Sequence, residues 1–294
     1  MTDTGKPVWL EVAINGPWSR DLQPLAPRGD DAIIAEGIAC ARAGASIIHL
    51  HIFDETGDRQ VDDAAQYEKI IRAIHGETGA IVYGTLPFHA SSADRPLTAV
   101  ERYAAVEELA KHGAIEWSIV DPGSVNVSSF QAMQEGREGF VYLNPEDHIR
   151  RGLTLARDHG FTPSYAIYEP GFLRQGAALH AAMPGTPQPV YRFMFSEAYS
   201  FGFPPKQFAL DAYLNLMAEA APSAPWMVAG LGVDITPMIA PAVQAGGHVR
   251  VGLEDAPVRD ARSNLDWIAI AVDEIEKAGG RVATPDEVRD ALKS

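Results

Sequence analysis

The 294-residue chain has a single cysteine, Cys40, so it cannot form an internal disulfide. That suits a reducing compartment, and the cytosol is the expected location. No stretch approaches eighteen uninterrupted apolar residues, so no transmembrane helix is expected. The opening MTDTGKPVWLEV lacks the basic segment and long apolar run of a secretory signal. Positive charge is also scarce: 24 Lys and Arg stand against 39 Asp and Glu, for a net charge of -15. Such a balance argues against partners that are polyanions, whether nucleic acid or an anionic membrane. It leaves room for a local basic pocket that takes one anionic substrate. Low-complexity and linker-like stretches are missing too, so nothing marks a boundary between domains.

What is present is a large apolar fraction, 46%, enough for a sizeable core. Short apolar runs recur at residues 8–15, 46–53, 80–88, 115–121, 163–169, 189–196, 224–231 and 248–255. Each is followed by a longer segment of helical periodicity, starting near Asp31, Asp62, Leu97, Pro145, Gly171, Lys206, Thr236 and Arg262. Gly44, Gly113, Gly160 and Gly279 sit where helices would stop. Eight βα units predict one α/β domain over residues 1–294, a (β/α)8 TIM barrel, in preference to an open doubly wound sheet. Residues 140–143 predict a small extra strand, and the tail 281–294 predicts one short helix.

The second run reads SIIHLHIFDETG. Side chains two apart on a strand share a face, so His49 and His51 point together while Ile48, Leu50 and Ile52 face the helices. The pair falls at the C-terminal end of its strand, where barrels of this type place their active sites. Two neutral imidazoles side by side suit a metal, though a hydrogen-bonded histidine pair is the plainer alternative. Catalytic zinc needs a third protein ligand and an open position. The eighth run, GGHVRVGLED, offers one. Alternation places Arg250, Gly252 and Glu254 inward, with Asp255 following at the turn. Buried Arg250 requires an acceptor, either a carboxylate of an ion pair at the barrel base or one near the substrate.

These residues resemble the β-keto acid cleavage enzymes. The likeness runs from VAING near the start, through HLHIFDETG and GGHVRVGLED, to SNLDWIAIAVDEIEKAGGRVATPDEVRDAL. It implies a zinc-dependent (β/α)8 barrel, usually a homotetramer, that condenses a β-keto acid with acetyl-CoA to give acetoacetate and a new acyl-CoA. By the same resemblance His49, His51 and Glu254 are zinc ligands. Asp255 is the base that takes the α-proton, and Arg250 orients it. Thr85, and the DPGSVNV stretch with Asp121, Ser124 and Asn126, match substrate-contacting segments. Gly230 and Gly232, after the seventh strand, are candidates for the CoA pyrophosphate.

The sequence departs from the family at two acidic positions that receive the amino group of 3-keto-5-aminohexanoate, the type enzyme's substrate. Trp18 and Ala166 stand there. An ammonium buried without a partner is costly, so a keto acid with a neutral or apolar tail is expected instead. The aromatic segment around Phe195, Tyr199, Phe201 and Phe203 suggests a lid, a subunit contact, part of the acyl pocket or a packed loop. Cys40 reads as core. His75, His112, His148, His159 and His180 read as surface or capping groups, His89 as facing the barrel mouth, and His248 as lying at the far end of its strand. Other readings are a zinc hydrolase barrel, an HMG-CoA-lyase-like metallolyase and a silent zinc-binding barrel. The first expects histidines on strands five and six, and SYAIYEP and VYRFMFS have none. The second expects its HxH late in the chain. The third must account for both Arg250 and Asp255.

Overall fold

The computed structural model describes residues 5–90 and 95–293. Twelve strands occur among them: β1 (Lys6–Val8), β2 (Leu10–Ala13), β3 (Ile47–His49), β4 (Ile81–Tyr83), β5 (Trp117–Ile119), β6 (Val125–Val127), β7 (Phe140–Tyr142), β8 (Thr162–Ile167), β9 (Val190–Phe195), β10 (Trp226–Gly230), β11 (His248–Val251) and β12 (Gly280–Val282). Eight of these form one sheet in the order β4-β3-β2-β11-β10-β9-β8-β5, with every pair parallel. The order follows the chain around a cylinder, and helices connect its strands. This is the expected (β/α)8 barrel. Only the seam between β4 and β5 lacks ladder bonds among the described residues, and there the rings of Tyr83 and Trp117 lie 6.0 Å apart.

Strand alternation sorts the side chains into two cores. Ile48, Val82, Val120, Tyr165, Tyr191, Phe193, Val228 and Val249 pack outward on the helices. Trp9, Ile47, Ile81, Tyr83, Trp117, Val190 and Met227 fill the barrel's lower interior. Local chemistry fixes the helix ends. Asp63 accepts the Gln66 N–H at 2.8 Å to start the helix Ala64–Thr78, and Gly79 ends it with φ 70°. Ser263 and Asp266 form a capping box for the helix Asn264–Lys277. No described helix is long and apolar enough to cross a membrane.

The structure corrects two expectations and adds a partner strand to two others. The first run splits at Trp9, whose N–H donates to His248 Nδ1 (3.1 Å) while the two rings stack at 4.1 Å. The expected short helix of the tail is present as Pro285–Lys293, its Val288 plugging the barrel base, and the residues just before it add β12, which pairs with β1. The helix expected from Leu97 breaks at Tyr103 into Ala99–Arg102 and Ala104–Lys111. The extra strand at 140–143 is present as β7, but its antiparallel partner β6 carries no sequence signal that marked it.

Candidate metal centre and substrate pocket

His49 ends β3, and His51 lies just beyond the ladder. The chain there stays in register because Asn15 clasps it. The Asn15 Oδ1 accepts the His51 N–H at 2.8 Å, and its Nδ2 donates to the His51 carbonyl at 2.9 Å. Across the mouth, Glu254 presents Oε2 to His49 Nε2 and Oε1 to His51 Nε2, each at 3.3 Å. The three residues offer one ligand atom each, all within 4.8 Å of one another.

The protonation of this trio favours a cation. Gln60 Nε2 donates to the Leu86 carbonyl at 3.3 Å, so its Oε1 is the atom facing His51 Nδ1 at 2.7 Å. Nδ1 must donate, and Nε2 is the ring atom turned toward the Glu254 carboxylate. His51 Nε2 and Glu254 Oε2 are buried with no hydrogen-bond partner. Burial lowers His49 to about 4 against the pull of Glu254, so this imidazole is neutral at pH 7. Two imidazoles and a carboxylate meeting at one point form a donor set that fits Zn2+, and Gln60 is the outer partner that holds the His51 ring through Nδ1.

Below the trio lies an ion network. Arg250 Nε and Nη2 donate to the two oxygens of Asp255 at 2.9 and 2.8 Å. Its Nη1 donates to Glu11 Oε1 at 3.0 Å, and Nη2 lies 3.2 Å from Glu254 Oε2. Tyr83 OH donates to the same Glu11 oxygen at 2.6 Å. Burial raises the Asp255 carboxyl above its ordinary range, against the opposing effect of Arg250, which makes it a stronger base than a surface aspartate. The route to this geometry differs from simple alternation. Gly252 turns the chain out of β11 with φ 128°, and a Cβ there would meet the Ala13 carbonyl oxygen at 2.3 Å. The turn continues through the N–H groups of Asp255 and Ala256, which both donate to the Gly252 carbonyl. Glu254 and Asp255 are adjacent in sequence yet both belong to the site. On a continued strand one of them would face the helices.

Aromatic rings build the rim. Trp18 Nε1 donates to the Glu254 carbonyl at 2.8 Å, and its ring stacks on Tyr199 at 6.4 Å. Tyr199 stacks on Phe201 at 6.1 Å, and Phe201 meets Tyr168 edge-on at 5.0 Å. The aromatic segment is therefore a packed loop. Its Tyr199 bridges Ser129, and its Phe203 bridges Phe195. Thr85 follows Tyr83 by two residues, next to the β4–β5 seam. Asp121 is 5% exposed. Its Oδ1 accepts the Ala166 N–H at 3.0 Å, and its Oδ2 accepts Tyr142 OH at 2.7 Å, so both oxygens are engaged within the protein. Ser124 Oγ accepts the Asn144 N–H at 2.8 Å, and Asn126 is exposed on the β6–β7 hairpin. Gly230 ends β10, and Gly232 lies in the following turn under the Tyr199 ring.

Two histidines sit differently from expectation. His148, expected at the surface, is 3% exposed and stacks on His89 at 4.9 Å. His89 is thereby held against the helix Glu146–His159 and not free at the mouth. Cys40 is fully buried in the core, as expected. Four site residues escaped the sequence reading. Glu11 is the acidic member of VWLEVAIN on the inward parity, a signal that was available. Asn15 and Gln60 act through the fold and left no local pattern. Gly16 has φ 78°, and a Cβ on it would meet Glu254 Cγ at 2.6 Å.

The model of the beta-keto acid cleavage enzyme family matches residues 7–293. The chain belongs to that family. Among curated relatives, this beta-keto acid cleavage enzyme is 28% identical to a 3-keto-5-aminohexanoate cleavage enzyme of Fusobacterium nucleatum subsp. nucleatum, over 93% of each chain. It is 25% identical to a 3-oxoadipate:acetyl-CoA acetyltransferase of Cupriavidus necator, over 98% of this chain and 95% of the other. Among solved structures, ObcA in a binary complex with oxaloacetate superposes with a TM-score of 0.69 at 17% identity, covering 92% of this chain and 67% of that one. At that identity the likeness concerns the fold.

Proposed function

We propose that this protein is a zinc-dependent acyltransferase that exchanges an acyl group between a β-keto acid and acetyl-CoA, releasing acetoacetate and a new acyl-CoA. One observation supports it above the rest: His49 Nε2 and His51 Nε2 each lie 3.3 Å from an oxygen of Glu254, three ligand-type groups meeting at one point beside an aspartate fixed by a bidentate arginine. His49, His51 and Glu254 would hold the metal. A zinc ion bound there supplies Lewis acidity to the oxygens of the keto acid. Asp255 takes the proton from the carbon between carboxylate and ketone. Arg250 fixes the orientation of Asp255 and, with Glu11 behind it, stays in place while the proton moves. Trp18, Tyr199, Phe201 and Tyr168 narrow the mouth and exclude water from the reacting carbons. Gly230 and Gly232 offer backbone to the CoA pyrophosphate. The family resemblance also supports a homotetramer as the assembly.

The substrate proposed is a keto acid other than the aminated one. Trp18 and Ala166 give an ammonium no partner. The test is metal analysis of the purified protein together with a panel of β-keto acids plus acetyl-CoA, read as acetoacetate formed. Zinc near one equivalent per chain and turnover of at least one acid are expected. Absence of zinc together with no turnover across the panel would defeat the proposal, and efficient turnover of 3-keto-5-aminohexanoate would defeat its substrate part.

A further inference from the structure

The barrel strands carry two arginines, Arg250 and Arg192, and the proposed reaction uses only the first. Arg192 is 2% exposed. Its neighbours on β9 turn outward: Tyr191 packs on Tyr165, and Phe193 stacks on Tyr213 and Trp226. Alternation therefore directs Arg192 into the barrel. Its Nε donates to Ser164 Oγ at 2.9 Å, which locks the plane of the guanidinium. Among the described residues neither Nη finds an acceptor, whereas Arg250 meets three carboxylates. A guanidinium is always charged; the carboxylates of Glu11 and Asp121 act on it through space, but neither is hydrogen-bonded to an Nη. Asp121 is nearby, but its two oxygens serve the Ala166 N–H and the Tyr142 hydroxyl.

The position of Arg192 indicates what completes it. In the sheet order β9 lies four strands from β3, on the wall of the eight-stranded barrel opposite the histidine pair. Ala166 is its partner in the adjacent strand, and that methyl side chain takes little space beside the guanidinium. Free Nη groups in a fixed plane match a carboxylate, which accepts two parallel N–H bonds.

We propose that Arg192 binds a second carboxylate, at the far end of the acyl tail, so that the preferred substrate is a β-keto dicarboxylic acid. This rests on the cleavage reaction proposed for the site, and it narrows the expectation of a neutral tail, which took no account of this charge. The test compares two β-keto acids of equal length, one ending in a carboxylate and one in a methyl ester, with acetyl-CoA and zinc-loaded protein. The native protein is expected to favour the dicarboxylic acid at least tenfold in kcat/KM. In R192Q the ratio of the two kcat/KM values should fall about a hundredfold, mostly through KM, and R192K should restore part of it. A thermal-shift titration with the dicarboxylic acid should show protection that R192Q loses. Equal losses for both acids in R192Q would assign Arg192 to packing and overturn the inference. Turnover of the methyl ester alone by the native protein would overturn the inference while sparing the cleavage reaction. No turnover of either acid by metal-loaded protein would overturn the reaction itself.

Discussion

At the scale of single residues, the proposed site divides into groups that would hold a metal, groups that would handle a proton, and groups that fix both. Asp255 belongs to the second class, and its two oxygens touch Arg250 rather than the histidines. Asp255→Asn should therefore retain zinc, measured by metal analysis, while kcat/KM falls by roughly 10²–10⁴-fold, the usual worth of a positioned base. Loss of zinc in that variant would place Asp255 among the ligands instead. Gln60 belongs to the third class. Gln60→Leu removes the acceptor of His51 Nδ1–H and frees the ring to change tautomer. Zinc affinity should drop about 10–100-fold, as competition with a chelator would show, without loss of the fold. Both residues carry charge or polarity, yet only Asp255 stood in a recognisable pattern. Gln60 follows a turn, and its partner is nine residues earlier.

At the scale of elements, the strand ends are where sequence and structure diverge. Every barrel strand expected from the apolar runs is longer than its ladder, because the last residues of each run leave the sheet to line the mouth. Glycines make two of those exits possible. Gly16 holds φ 78° against the Glu254 side chain, so Gly16→Ala forces a strained backbone and a displaced carboxylate. A fall in zinc affinity is expected, with a smaller loss of helical signal than of metal; unchanged affinity would mean the loop absorbs the methyl. At the other end of the barrel, burial and the Lys6 charge lower His248 to about 3. Its folded pKa thus lies below its unfolded value of about 6.5, and the unfolded chain binds the extra proton between them. The stabilisation is complete above pH 6.5 and is lost as pH falls toward 3, at up to about 1.4 kcal/mol per pH unit. Denaturant midpoints across that window should slope for the native protein and flatten for His248→Gln.

For the molecule as a whole, the proposed metal centre links the first, second and eighth barrel strands, through Asn15 and Glu11, the histidines, and Glu254. Zinc held a hundredfold above its Kd adds about 2.7 kcal/mol to the folded state. At this chain length a chelator should lower Tm by roughly 4 °C, reversed by added zinc. A Tm indifferent to the chelator would argue that the trio holds no metal. The same scale explains what was legible beforehand. Eight alternations of short apolar runs and helical segments sufficed for the barrel, since only one closed layering buries that pattern. The HxH spacing sufficed for the histidine pair and Arg250, since period two directs side chains of one strand to one face, but Glu254 reaches them only through the turn at Gly252.

The sequence by itself determined the barrel, the histidine pair and the acidic end of the last strand, because those follow from local periodicity. Tertiary structure alone decided the rest. It set the turn at Gly252 that brings Glu254 and Asp255 in together, and the clasp of Asn15 on His51. It also set the stacking of His148 on His89 and the bond from Arg192 Nε to Ser164 that leaves both Nη groups without an acceptor among the described residues. Each depends on a partner far away in the chain, and no spacing rule encodes which distant group will arrive beside which.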